Sequence, residues 1–85
     1  MAYVYILENS DGRHYIGITG LDPAARLTRH NMGHVSSTKN YRPWHIIHTA
    51  ELQSLQEARD REKQIKSWKG GQAFKKLIYS RSNAD

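Results

Sequence analysis

From its second residue the chain runs Ala-Tyr-Val-Tyr-Ile-Leu-Glu, apolar or aromatic at almost every position. After the cluster Asn9-Ser10-Asp11-Gly12 it resumes as His14-Tyr-Ile-Gly-Ile-Thr19. Tyr, Val and Ile suit a pleated surface, and turn-forming residues between two such runs signal a hairpin. The pattern predicts strand β1 over residues 2–8 and strand β2 over 14–19. Both faces of β1 are apolar, so it is expected in the middle of a sheet covered on both sides. The period then changes between Leu21 and Gly33: Asp22 suits an N-cap, Pro23 the first helical position and Gly33 the left-handed residue that stops a helix. This is helix α1.

Residues 34–43 are polar and end in Pro43, which reads as a long loop, ordered or mobile. Trp44 to Glu51 (WHIIHTAE) predicts strand β3, closing a small antiparallel sheet. Ser54 with Glu57 three residues on forms a capping box for helix α2, which runs to Trp68 before Gly70-Gly71. Residues 72–79 predict a short helix α3 packing Phe74, Leu77 and Ile78, and residues 81–85 a disordered tail. The expected fold is α+β: one domain over residues 1–80, a three-stranded antiparallel sheet flanked by helices, in the order β-β-α-β-α-α.

Hairpin parity decides whether Tyr5 and Tyr15 can act together, because neighbouring strand residues face opposite ways. A two- or four-residue loop separates them. A three-residue loop Ser10-Asp11-Gly12, with Gly12 left-handed, pairs residue 7 with 15 and 5 with 17, and sets both phenols on one face as diagonal neighbours. Tyr5 then lies opposite Gly17, whose missing side chain leaves a hollow beside the ring. Plain packing is the competing account of such a pair.

On α2 a step of about 100° per residue puts Leu55, Ala58 and Ile65 on one inward arc, and Glu62 falls between them. A carboxylate on that side needs an ion pair, a hydrogen bond or a cation. A hard divalent ion, held by one or two carboxylates with waters and phosphate oxygens, suits the functional option. On α1, Arg26 and His30 are four apart and share a face. A guanidinium matches phosphate geometry, and a histidine beside it can bond a phosphate or move a proton. Alternatively Arg26 pairs with Asp22 across the same spacing. His30 and His34 straddle the helix break at Gly33, so a zinc site is discounted. His45 and His48 on β3 are expected on opposite faces.

Composition narrows the class of partner. Thirteen Lys and Arg against eight Asp and Glu give a formal charge of +5 in 85 residues, and residues 59–81 hold eight basic side chains against Asp60 and Glu62 alone. Such an excess suits a polyanion, since each neutralised phosphate releases counterions. There is no cysteine, which excludes disulfides and thiolate zinc sites. No apolar run approaches the roughly 20 residues that span a bilayer, so a cytoplasmic protein without membrane contact is expected. Lys39, Arg42, Lys63, Lys66 and Lys69 are candidates for holding a nucleic-acid backbone without reading its sequence. Trp44, Trp68 and Tyr41 are packing residues or base-stacking ones.

Val4-Tyr-Ile6, Tyr15-Ile-Gly17, Ala25-Arg-Leu-Thr-Arg-His-Asn31, Arg42-Pro43 and Glu57-Ala-Arg-Asp-Arg-Glu-Lys-Gln-Ile-Lys-Ser-Trp68, in that order, resemble the GIY-YIG nuclease superfamily, most nearly its small stand-alone bacterial members. Val4 stands where the first motif has glycine. The resemblance implies that Tyr5, Tyr15, Arg26 and His30 are catalytic, that Glu62 binds a divalent cation (Mg²⁺ or Mn²⁺), and that the substrate is DNA, branched or single-stranded. It implies an endonuclease selective for structure rather than sequence, with DNA repair or recombination as its setting and 5'-phosphate and 3'-hydroxyl products. Tyr15 would accept the proton of the attacking water and Tyr5 orient it. The competing readings are a nucleic-acid-binding module of the same fold with little catalysis, targeted by a protein partner, and an interaction domain.

Overall fold

The computed structural model describes residues 1–80; the tail expected over residues 81–85 lies outside them. The elements are β1 (Ala2–Asn9), β2 (His14–Thr19), α1 (Pro23–Asn31), β3 (Trp44–Leu52), α2 (Leu55–Trp68) and α3 (Gln72–Ser80). The strands form one antiparallel sheet in the order β2-β1-β3, so β1 is central. This is the α+β arrangement that the sequence pattern implies.

Local chemistry explains the hairpin. Gly12 takes φ 81°, its amide donates to the Asn9 carbonyl, and the Asn9 amide donates to the Arg13 carbonyl. The Asn9 side chain accepts from the amides of Asp11 and Arg13, holding the turn from within. Register follows: Leu7 lies opposite Tyr15 and Tyr5 opposite Gly17.

Because β1 alternates, it sorts two cores. Ala2, Val4 and Ile6 pack with Ile16, Ala58, Ile65, Phe74 and Ile78 beneath α2 and α3. Tyr5 and Leu7 pack with Trp44 on the other side, against Leu27 of α1. Burying a side chain the size of Ile6 contributes about 1.5–3 kcal/mol.

The helix ends follow their signals. The Asp22 side chain accepts from the Ala24 amide, and α1 stops where the Gly33 and His34 amides bond back to the His30 and Arg29 carbonyls, with Gly33 at φ 83°. The Ser54 hydroxyl accepts from the Glu57 amide, but the reciprocal bond of the Glu57 carboxylate goes to the Gln53 amide, one residue earlier than in a standard capping box.

Two expectations need correction. Leu55, placed on the inward arc of α2, is 48% exposed: it is the first residue of the helix, and burial along that arc begins at Ala58. Second, β3 carries a bulge: Ile6 faces His48 while Leu7 faces Ile46, so Ile47 is an extra residue. The extra residue shifts the alternation by one, and His45 (opposite Glu8) and His48 (opposite Ile6) fall on the same face of the sheet. Of the two forms expected for residues 34–43, the structure shows the ordered loop. These residues contain a 3-10 turn at Lys39–Tyr41 and a cis Arg42–Pro43 peptide. The Trp44 indole donates to the Thr38 carbonyl, and the Asn31 side chain accepts from the Trp44 amide and donates to its carbonyl, tying the segment to the end of α1.

Candidate active site

The hairpin and α1 meet on the face of β1 that carries Tyr5, while α2 packs on the opposite face. The rings of Tyr5 and Tyr15 lie with centroids 6.2 Å apart and tilted by 42°. Tyr5 is 1% exposed, whereas Tyr15 is half-buried. Gly17 makes this arrangement possible: a Cβ there would fall 2.7 Å from Cζ and Oη of Tyr5 and 2.9 Å from Cε2 of Tyr15. Gly17→Ala is therefore expected to destabilise the fold by about 1–3 kcal/mol through overpacking and to displace the phenols. Gly20→Ala, whose Cβ meets nothing within 4 Å, serves as control. Denaturant midpoints of the two variants check this.

Beneath the phenols lies His30, fully buried, its ring 4.9 Å from that of Tyr15 and 5.8 Å from that of Tyr5. Its Nε2 is 2.8 Å from the Tyr5 hydroxyl and its Nδ1 is 2.8 Å from Thr38 Oγ1. A 0% exposed ring cannot touch a phosphate, which leaves proton handling and orientation of Tyr5 as the chemistry open to it. Burial lowers its pKa below the ordinary histidine value, and the positive charge of Arg26 lowers it further. His30 stands as neutral imidazole at pH 7.

Arg26 is half-buried; its Nε is buried and makes no hydrogen bond, and it forms no ion pair among the described residues. The alternative pairing with Asp22 does not occur, since Asp22 caps the helix instead. Burial raises the Tyr5 pKa above the ordinary tyrosine value; the Arg26 guanidinium beside the hydroxyl opposes that rise, and the charges of Tyr15 and Glu62 add to it. Tyr5 is therefore a neutral phenol at pH 7, whereas the Tyr15 hydroxyl makes no hydrogen bond among the described residues and is open to an incoming group.

Glu62 reaches the same region from α2. Its side chain is 18% exposed and pairs with Lys66 at 3.3 Å. Its charge is felt at Tyr5, so it lies within electrostatic range of the phenols. Among the described residues no group of three or more His, Asp or Glu could enclose a metal ion. One half-buried carboxylate does not fit an all-protein cage, but it does fit a hard cation whose shell is completed by waters and phosphate oxygens.

The basic candidates divide. Lys39 and Arg42 line one open polar recess with Asn31, Asn40 and Pro43. Arg42 also braces the backbone around it, since its Nε donates to the Lys39 carbonyl, Nη1 donates to the Asn31 carbonyl, and its guanidinium lies over Gly33. Lys63 is exposed, Lys66 pairs with Glu62, and Lys69 Nζ donates to the His14 carbonyl. Trp44 is 5% exposed and packs in the core, so it is not available to stack on bases; Tyr41 is 39% exposed with Arg13 over its ring at 4.1 Å. Thr38, 1% exposed against His30, escaped the sequence reading because a polar stretch ending in proline shows nothing of what lies above it.

Two phenols on a hairpin, an arginine and a histidine on the next helix and a glutamate on a later one define the class. The chain belongs to the GIY-YIG family, whose catalytic-domain model matches residues 1–76. Within it, the chain is similar to the UPF0213 proteins. It is 39% identical to one from Halobacterium salinarum over 67 residues, 78% of this chain and 86% of that protein. A UPF0213 protein from Staphylococcus aureus is 37% identical over 67 residues, 78% of this chain and 80% of that one. The solution NMR structure of a UPF0213 protein from Bacillus halodurans superposes with a TM-score of 0.55 at 30% identity, covering 99% of this chain and 88% of that one. No helix among the described residues is long and apolar enough to cross a membrane.

Proposed function

We propose that this protein is an endonuclease that hydrolyses phosphodiester bonds in DNA with the help of a divalent cation. The observation that carries the reading is Arg26, a guanidinium with a buried, unpartnered Nε–H beside the Tyr5 hydroxyl, at which the charges of Tyr15 and Glu62 are also felt. A half-buried guanidinium that bonds the Tyr5 hydroxyl but leaves its Nε–H without an acceptor suits an anion that arrives with the substrate. Family membership supports the same reaction class.

In this reading Arg26 bonds the scissile phosphate and stabilises charge developing on it. Tyr15, the more accessible phenol, takes the proton of the attacking water. Tyr5, less exposed and with its pKa raised by burial, orients that water. Water oxygen bonds to phosphorus as the bond to the 3' oxygen breaks, which leaves 5'-phosphate and 3'-hydroxyl ends. A divalent cation on Glu62 would supply Lewis-acid polarisation of the phosphoryl group. Lys39, Arg42, Lys63, Lys66 and Lys69 hold the backbone, and nothing among them reads base edges, so flaps, branches or single strands are the expected substrates.

The test is nicking of supercoiled plasmid and of branched oligonucleotides with Mg²⁺, Mn²⁺ or EDTA. Wild type is expected to cut only with a divalent ion, and Tyr15→Phe and Glu62→Ala are each expected to lose about 100-fold or more, as losses of positioned acid–base and electrostatic groups do. Cutting that survives EDTA and both substitutions would sink the mechanism. DNA binding without cutting on any substrate would leave the protein a binding module.

A further inference from the structure

Thr38 has one hydroxyl proton and two acceptors within reach: the Val35 carbonyl at 3.3 Å and His30 Nδ1 at 2.8 Å. Which it takes decides the proton positions at the phenols, because His30, Thr38 and Tyr5 are all buried and each polar group there needs a partner. If Thr38 donates to Nδ1, then Nε2 carries the proton and donates to the Tyr5 oxygen. The Tyr5 proton would then have to leave in another direction, where Arg26 is itself a donor, and no other acceptor is bonded to the Tyr5 hydroxyl among the described residues. If Thr38 donates to Val35, then Nδ1–H donates to Thr38, Nε2 is bare, and Tyr5 O–H donates to it. In that arrangement every one of these protons has an acceptor, and the Tyr5 lone pairs are left to face Arg26.

We propose that Thr38 is a positioning residue that holds His30 as the Nδ1–H tautomer, which turns the Tyr5 proton into the protein and the Tyr5 lone pairs toward the substrate. The tautomer stands on geometry alone; its use in orienting the attacking water rests on the nuclease reading. The fold supports such a role. The Thr38 carbonyl is pinned by the Trp44 indole, and Trp44 by the Asn31 side chain, so the hydroxyl is held from both sides along the chain. A histidine's free nitrogen is set by the bond its other nitrogen makes.

The experiment is ¹⁵N correlation spectroscopy of the His30 ring at neutral pH in wild type, Thr38→Val and Thr38→Ser, each also assayed for cleavage. Wild type and Thr38→Ser are expected to show a protonated Nδ1 and a bare Nε2. Thr38→Val, which keeps shape and removes the acceptor, is expected to shift His30 toward Nε2–H and to lower cleavage by about 10- to 100-fold, the range for partners that orient a functional histidine. Wild-type His30 protonated at Nε2 would overturn the proposal, as would a folded Thr38→Val protein with the wild-type tautomer. Should Thr38→Val not fold, the tautomers of wild type and Thr38→Ser still decide, since a protonated Nε2 in either overturns it. The spectrum needs no substrate, so wild-type protein that shows the Nδ1–H tautomer but cuts nothing refutes the nuclease reading and leaves the assignment of Thr38 standing.

Discussion

Arg26→Met is expected to lower cleavage by about 100- to 1000-fold while leaving the melting temperature unchanged or higher. The two signs have one origin. The guanidinium is half-buried, its Nε has no acceptor, and it forms no ion pair among the described residues, so its bond to the Tyr5 hydroxyl repays only part of its desolvation. Methionine follows the same path with an apolar body. Catalysis responds the other way, because a preorganised donor aimed at developing negative charge typically carries two to three orders of magnitude. Two titrations accompany the change. Tyr5 loses the neighbour that opposes its rise, so its pKa moves further up; His30 loses a repelling charge, so its pKa moves back toward the ordinary value. Thermal melting, plasmid nicking and NMR titration read all three. A large loss of stability with unchanged cleavage would make Arg26 a structural residue.

His30→Leu is expected to cost about 2–4 kcal/mol, since the Tyr5 hydroxyl loses its buried partner and the new side chain fits the histidine's space imperfectly. It is also expected to flatten part of the pH dependence of stability. The folded-state pKa of His30 is depressed, so between that value and about 6.5 the unfolded chain binds more protons than the folded one. Its contribution to stability is present above about 6.5 and is lost as the pH falls through the folded-state pKa. At the alkaline end Tyr5, with a raised pKa, contributes stability that is present below about 10 and lost as the pH rises through its folded-state value. Wild type should thus weaken on acidification from pH 7 to 5 more steeply than His30→Leu. Denaturant midpoints across that range check it; parallel slopes would mean that other groups carry the acid sensitivity.

Much of this geometry was legible from short stretches of chain. Asn9-Ser10-Asp11-Gly12 needs no distant partner to form its turn, and once Gly12 is left-handed the pairing of Tyr5 with Gly17 follows by counting. Asp22, Pro23 and Gly33 bracket α1 for the same reason, since caps act within a few residues. Glu62 stood out as a carboxylate on the inner side of α2, and it is half-buried there, although the same wheel misplaced Leu55. The wheel assigns a face to every position alike, whereas burial along α2 begins only at Ala58.

What depended on distant contacts stayed hidden. The bulge at Ile47 reversed the parity of His48, and no local signal in Trp-His-Ile-Ile-His-Thr announces an extra residue. The order of residues 34–43 comes from Trp44, Asn31 and Arg42 closing on one another, each bond weak by itself and cooperative only in the assembled fold. Element order, the shared face of the two tyrosines and the residue types gathered for chemistry follow from short stretches of chain, because turns, caps and alternation are local. That His30 is sealed beneath Tyr5 with Thr38 behind it emerges from long-range packing alone, because the burial is made by segments 25 residues apart along the chain.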